Sequence, residues 1–376
     1  MSLLADASQT NLSAKRLPAL DLLRSIAITI VFFWHYQQHG SPRWVAAIGQ
    51  FGWTGVDLFF VLSGYLIGGQ LMQQASGNNG INFRDFYLRR AFRILPAYLV
   101  VLSIYFLVPP FREREALAPL WRYLTFTQNF GLDLRISGTF SHAWSLCIEE
   151  QFYLLLPLLL LLVFKLKLNR VVPWLLLSIF VSGFLLRCYS WTHFVEPLMG
   201  SEQGAGIEYY KYIYYPTYNR FDGLLSGVAI AAMIRFRPML WQRVSRYANV
   251  VLLAGISLLS FAYFMCENLV SFKVAVFGYP LVSVAYGLIV LAAVSPTSVL
   301  SRFHLRAFST IATLAYCIYL THKQLNHLVR ELLSDKIGDE GNLMFILCIA
   351  VAIVGGWLLH RLIERPFLVL RARLLK

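Results

Sequence analysis

Apolar stretches long enough to cross a lipid bilayer follow one another along almost the whole chain, at 17–37, 53–73, 89–109, 142–164, 171–189, 217–234, 249–266, 275–294, 307–330 and 342–363. A hydrocarbon core about 30 Å thick takes about twenty helical residues, and only helices and closed barrels satisfy all their backbone hydrogen bonds inside it. The pattern predicts an all-α, polytopic integral membrane protein with about ten transmembrane helices. With 58% of its 376 residues hydrophobic and 14% charged, the chain has too little polar surface to cover itself as a soluble domain. The sixth stretch is the weakest, because Arg220 and Asp222 interrupt one end of it.

Ten crossings put both termini on one side of the membrane, and the basic residues make that side cytoplasmic. One set of loops then holds Lys15 and Arg16; Arg84, Arg89, Arg90 and Arg93; Lys165, Lys167 and Arg170; Arg235, Arg237, Arg243 and Arg246; Arg302 and Arg306; and Arg361, Arg365, Arg371, Arg373 and Lys376. The opposite loops carry more acids, among them Glu113, Glu115, Glu196, Glu202, Glu208, Asp339 and Glu340. A wrong helix count would scramble this alternation. The net charge of +14 therefore reports topology, and no nucleic-acid partner is expected.

Three segments follow: a polar cytoplasmic tail at 1–16, one transmembrane domain at 17–370 and a basic cytoplasmic tail at 371–376. The tail at 1–16 lacks the apolar core and cleavage site of a secretory signal, so the first span is expected to serve as its own uncleaved signal. No appended soluble domain or internal repeat is expected. Cys147, Cys188, Cys266, Cys317 and Cys348 form no close pair with metal-ligand spacing and read as packing residues, so no metal is expected. The outer segment 190–216 and its flank hold Tyr209, Tyr210, Tyr212, Tyr214, Tyr215 and Tyr218. Such tyrosines are ordinary at a membrane boundary, and their faces also suit bound sugars.

Charged residues inside the spans need a reason to be there, since each costs roughly 2.5 to 3.5 kcal/mol at the centre of a helix. Arg24 and His35 share the first span at an eleven-residue step, about three turns or about 16 Å on one helix face. His35, Asp57, Glu149, Glu150, Arg220, Asp222 and His322 all fall in the outer half of the membrane. Some of these read as buried ion pairs that fix packing, for example Asp57 with Arg220 or Asp222 with His322. His35 stands apart as a group suited to proton transfer near neutral pH. Adjacent glutamates cannot point the same way on a helix, and Glu150 is the one expected to face a cavity.

At the inner end of the third span, Arg89, Arg90 and Arg93 lie three and four residues apart, so two guanidinium forks can share one helix side. Such forks suit phosphate oxygens; a topology signal beside lipid headgroups explains the same residues.

Arg24 through His35, Gly55-Val-Asp-Leu-Phe-Phe-Val-Leu-Ser-Gly-Tyr-Leu-Ile67 and Tyr87-Leu-Arg-Arg-Ala-Phe-Arg-Ile-Leu-Pro-Ala-Tyr98 resemble the opening motifs of the acyltransferase family 3 membrane proteins. Trp144-Ser-Leu-Cys-Ile-Glu-Glu-Gln-Phe-Tyr153, Ala315-Tyr-Cys-Ile-Tyr-Leu-Thr-His322 and Glu364-Arg-Pro-Phe367 resemble later motifs, in the same order. The resemblance implies a ten-helix enzyme of the bacterial cytoplasmic membrane that moves an acyl group, most often acetyl, from acyl-CoA to a hydroxyl of a glycan. Acetyl-CoA is then a donor substrate, with no permanently bound cofactor. It also implies an essential His35 with Arg24 as partner, donor handling by Arg90 and Arg93, and a catalytic Glu149–Glu150 motif. Some relatives carry an extracytoplasmic esterase-like domain, which is not expected here, so a separate glycan-assembly partner is one way to complete the transfer. Cys147, Cys317 and Thr321 depart from residues common in the family.

The expected chemistry places acyl-CoA phosphates on Arg90, Arg93 and Arg89, with His35 as general base and Glu150 orienting its ring. Direct transfer and an acyl-histidine route both fit. Asp57, Arg220, Asp222 and His322 are the expected acceptor-binding residues. The acceptor is expected to be a lipid-linked or surface polysaccharide, with a small macrolide-like glycoside second. The rival class is a proton-coupled transporter or flippase of glycan precursors, weakened by the lack of an inverted repeat.

Overall fold

The computed structural model describes residues 17–77, 80–114, 116–200, 204–303 and 305–375, and among them the regular structure is entirely helical. The tail at 1–16, with Lys15 and Arg16, lies outside the described residues, as do Glu115, Glu202 and Lys376. The long helices are α1 (Pro18–Gln37), α2 (Gly55–Ala75), α3 (Phe83–Leu107), α4 (Trp144–Lys165) and α5 (Val172–Ser190). They continue with α6 (Asp222–Phe236), α7 (Pro238–Arg246), α8 (Ala248–Met265), α9 (Tyr279–Ala293), α10 (Arg306–Ile337), α11 (Asn342–Leu359) and α12 (Arg365–Leu374). Local chemistry sets several starts. Pro18 sits at the first turn of α1, where its missing N–H costs nothing, and Asn82 caps α3 by accepting from the Asp85 N–H at 3.0 Å.

Among the described residues, eight helical segments are long and apolar enough to cross a membrane, or nine if α6 and α7 count as one bent span, against the ten expected. The sixth and ninth expected spans account for the difference. Helix α6 has only 15 residues, about 22 Å, and turns by 110° into α7. Pro238 forces the turn, because proline disfavours helical backbone at the residue before it, and Arg237 adopts φ −132°, ψ 58°. Helix α10 is 32 residues long, but its second half carries His322, Lys323, Gln324, Asn326, His327 and Arg330. This polar half is tolerable because α1 and α11 pack along it.

Helices α2 and α6 make the most intimate contact in the bundle. A Cβ at Gly64 would lie 2.1 Å from the Leu224 carbonyl oxygen, and one at Gly227 would lie 2.2 Å from that of Val61. Only glycine lets the two backbones touch, the small-residue device of membrane helix pairs. Helix α4 does the opposite on its far side, exposing Leu154, Leu155, Leu158, Leu159, Leu161 and Leu162 as a face for lipid.

Candidate active site

Above the bundle, the segment joining α3 to α4 folds inward as a stack of rings. Phe140 is fully buried, 4.5 Å from Tyr105 and 5.8 Å from Tyr98 between ring centroids. Its backbone is left-handed (φ 58°), a conformation costing a non-glycine residue roughly 1 to 2 kcal/mol. Ring burial and a bond from its N–H to Glu113 Oε1 (3.2 Å) hold it there. The kink turns the chain so that Ser141, His142 and Trp144 enter the wall of a cavity of about 310 Å³.

His35, near the end of α1, lines that cavity with Trp34, Trp53, Tyr210, Tyr214, Tyr215, Tyr319, Arg114 and Lys323. Its ring is held by His322, whose Nε2 lies 2.9 Å from His35 Nδ1. His322 is fully buried, and its Nδ1 faces the backbone oxygens of Ile318 (3.0 Å) and Tyr319 (2.9 Å). Two carbonyls can only accept, so Nδ1 of His322 carries hydrogen. In a neutral ring its Nε2 is then the acceptor, and His35 must donate to it from Nδ1. His35 Nε2 is left with a free lone pair beside the cavity that the residue lines, and among the described residues it has no hydrogen-bond partner.

His142 completes a triangle of imidazoles, its ring centroid 6.1 Å from His35 and 5.5 Å from His322. Both of its nitrogens are buried without a hydrogen-bond partner among the described residues, and Nδ1 lies 4.0 Å from Glu113 Oε1. Behind it, the Glu113 carboxylate accepts from Tyr105 (2.9 Å) and from the Phe140 N–H, and pairs with Lys323 at 3.4 Å. Tyr319 donates to the His142 carbonyl oxygen, so its remaining contact must be a hydroxyl hydrogen from Ser145 at 2.6 Å. Neither His142 nor Lys323 stood out in the sequence, since each belongs to a motif only through its neighbours in space.

A second polar compartment lies toward the arginine-rich end. Glu149 accepts from Ser63, which accepts from Tyr153 (3.1 Å), and the Arg90 guanidinium lies 5.9 Å from the Tyr153 ring centroid. Arg90 Nε is buried without a hydrogen-bond partner. Arg24 stands 3.7 Å from Asp21 on its own helix and within electrostatic reach of Glu149. Arg93 pairs with Glu364, which follows α11. Neither Arg24 nor Arg89, Arg90 and Arg93 line the cavity that holds His35.

Three expectations need correction. Glu150 does not orient His35; among the described residues it makes no hydrogen bond or ion pair, and its charged neighbours are Glu149 and Arg90. Its place on α4 turns it to the lower compartment, while the upper helix turn presents Ser145. His322 binds the His35 ring rather than Asp222. The expected acceptor-binding role of Asp57, Arg220 and Asp222 is replaced by pairing: Asp57 forms the expected buried ion pair with Arg220, which donates to both its oxygens (2.9 and 3.0 Å), and Arg187 donates to both Asp222 oxygens (2.7 and 3.3 Å). These four are absent from the cavity wall. Arg220 serves that wall from behind, with Tyr279, Tyr214 and Trp144 ring centroids at 4.1, 4.7 and 5.1 Å.

Outside the spans, Asp133 binds Arg135 (2.6 Å), which also reaches Glu208 (2.5 Å) and so ties two loops together. Hydrogen bonds from Arg135 hold the Asp133 carboxyl down at about 2.

A family profile described as an acyltransferase domain matches residues 17–361. The chain is 31% identical over 375 residues to the peptidoglycan O-acetyltransferase OatA of Listeria monocytogenes, covering 95% of this chain and 56% of that protein. It is 26% identical over 372 residues to the O-acetyltransferase OatA of Staphylococcus aureus, covering 94% and 57% respectively. The chain thus spans little more than half the length of these relatives. No solved structure matches it.

Proposed function

Because the chain belongs to this acyltransferase domain family, we propose that it is a membrane O-acyltransferase that moves an acyl group, acetyl first, from acyl-CoA to a glycan hydroxyl. The arginine-rich end is taken as cytoplasmic by the positive-inside rule, in the bacterial cytoplasmic membrane. The donor enters there, and Arg90, Arg93 and Arg89 supply guanidinium forks for its phosphates. The acceptor occupies the outer cavity, where Trp34, Trp53, Trp144 and Tyr210 offer faces for sugar rings. Ser145 and Tyr319 supply hydroxyls on the cavity side, and Glu149, Ser63 and Tyr153 supply polar side chains in the second compartment.

The observation that carries the reading is the donor–acceptor order from His35 through His322 to two backbone carbonyls. It gives His35 the free lone pair that a general base needs. In direct transfer, His35 Nε2 takes the acceptor hydroxyl proton as the oxygen bonds to the thioester carbonyl carbon. The carbon–sulfur bond breaks, and the departing thiolate receives that same proton back from His35 to leave as CoA. The positive charge on His35 is spread by its Nδ1–H bond to His322. A peptidoglycan-type acceptor is the first choice, since a relative is named for that activity.

Purified protein in lipid nanodiscs, supplied with acetyl-CoA and muramyl oligosaccharide, is expected to add one acetyl mass to the sugar. His35→Ala is expected to lose at least about 10²-fold in rate. Full transfer by a normally inserted His35→Ala protein would remove the base assignment, and sugar translocation without a mass change would replace the enzyme reading by transport.

A further inference from the structure

The arginine-rich end holds a second group of chemistry-bearing side chains that the acyl transfer does not use. Cys317 on α10 and His360 and Glu364 on the turn after α11 converge, their ligand atoms all within 4.8 Å of one another. Cys317 Sγ and His360 Nδ1 both meet Glu364 Oε2, at 3.3 and 2.5 Å. His360 and Glu364 stand four apart, but Cys317 lies 43 and 47 positions before them, so no motif spacing announces the three together. Helix α11 brings His360 and Glu364 together through a single π-helical turn, His360–Glu364, a local widening often found at functional sites. Cys317 and Glu364 are buried, whereas His360 forms part of the wall of an adjoining cavity of about 490 Å³ with Thr310, Thr313 and Arg306. The group is therefore enclosed on two sides and reachable on the third.

We propose that Cys317, His360 and Glu364 bind a thiophilic divalent cation, with zinc the ion that best fits one thiolate, one imidazole and one carboxylate. Zinc bonds of about 2.0 to 2.3 Å in a tetrahedron separate neighbouring ligand atoms by roughly 3.3 to 3.7 Å. The Cys317–Glu364 separation already has that value. The His360–Glu364 contact opens by about 1 Å as the metal replaces their shared hydrogen, and the cavity gives the imidazole room. Binding releases the Cys317 thiol hydrogen as a proton, and the neutral His360 ring coordinates through Nδ1 once its single hydrogen, shared there with Glu364, moves to Nε2. Glu364 Oε1 stays on Arg93, which orients the ligand carboxylate. The fourth position faces the cavity, open to water. Two ligand anions, a dication and the Arg93 guanidinium leave the buried site with one net positive charge.

The test is titration of tag-free protein in detergent with Co²⁺ alone, followed by displacement with Zn²⁺. One equivalent is expected to bind, with the visible bands of four-coordinate cobalt and a thiolate-to-cobalt charge-transfer band in the near ultraviolet. Cys317→Ser is expected to lose the charge-transfer band, and His360→Asn to weaken binding at least tenfold while remaining monodisperse. No stoichiometric binding, a spectrum unchanged in Cys317→Ser, or undiminished affinity in His360→Asn would each overturn the proposal and leave a hydrogen-bonded anchor for Arg93. The readout involves no turnover, so it is independent of the acyl-transfer reading.

Discussion

His322 Nε2 accepts a hydrogen bond from His35 Nδ1 at 2.9 Å, and the two residues lie 287 positions apart in the chain. One imidazole thus sets the tautomer and the angle of the other. The arrangement has the logic of a base held by an orienting partner, with backbone carbonyls in place of a carboxylate as the last element.

Replacing His322 with phenylalanine keeps the packing but removes the acceptor. The rate constant is expected to fall about 10²-fold, with KM for donor and acceptor unchanged. His322→Gln can repeat the order of groups, its amide donating to the backbone carbonyls and its oxygen accepting from His35, so it is expected to recover part of the loss. Steady-state kinetics of the two variants decide the matter: equal defects would rule out the relay.

The Asp57–Arg220 pair predicts an effect on stability instead. Asp57→Asn leaves a buried guanidinium without its anion, which typically costs about 3 to 5 kcal/mol. The double variant Asp57→Leu with Arg220→Met is expected to unfold closer to the wild type than Asp57→Asn does. Thermal unfolding in detergent measures both, and a single variant as stable as the parent would contradict the buried pair.

Contact between α2 and α6 is sharply position-dependent. Gly64→Ala drives a methyl into the Leu224 carbonyl oxygen, whereas at Gly68 the nearest atom to an added Cβ is a Val228 methyl at 3.4 Å. Gly64→Ala is expected to reduce the yield of monodisperse protein and Gly68→Ala to leave it near normal. Size-exclusion profiles after identical purification compare them, and matching profiles would mean the helices separate more easily than their packing implies.

Acid is expected to weaken the two loops that Asp133 and Arg135 tie together. Its carboxyl is lowered from 3.8 to about 2 by hydrogen bonds from Arg135. A depressed carboxyl contributes fully above its unfolded value and loses that contribution as pH falls through the folded one. Protection of segments 128–137 and 205–212 against hydrogen exchange is therefore expected to fall between about pH 4 and pH 2. Asp133→Asn removes this group's share of that dependence; an identical profile in the variant would assign it elsewhere.

Arg93 and Glu364 form one unit at the arginine-rich end. Arg93→Ala is expected to raise KM for acetyl-CoA more than KM for the acceptor, and Arg93→Lys to recover charge but not the planar fork. Rate against acetyl-CoA concentration checks it: an unchanged curve for Arg93→Ala would make the residue a topology signal only.

Much of this architecture is readable from the chain because its causes are local. Runs of apolar residues fill one helix length after another, the Arg24–His35 step follows from the helix repeat, and the motif order carries the family. Even the two shortfalls have local signs: Pro238 after Arg237 ends α6, and the polar second half of α10 resists lipid. What only the folded bundle decides is which distant side chains meet. Asp222 has Arg187 rather than His322, and Glu150 turns toward Arg90. His142 stands beside the histidine pair two residues after the left-handed turn at Phe140. Periodicity gives the face of a helix but not its partner. Partner choice depends on how closely the backbones approach, and at Gly64 and Gly227 that is set by atoms far away in sequence.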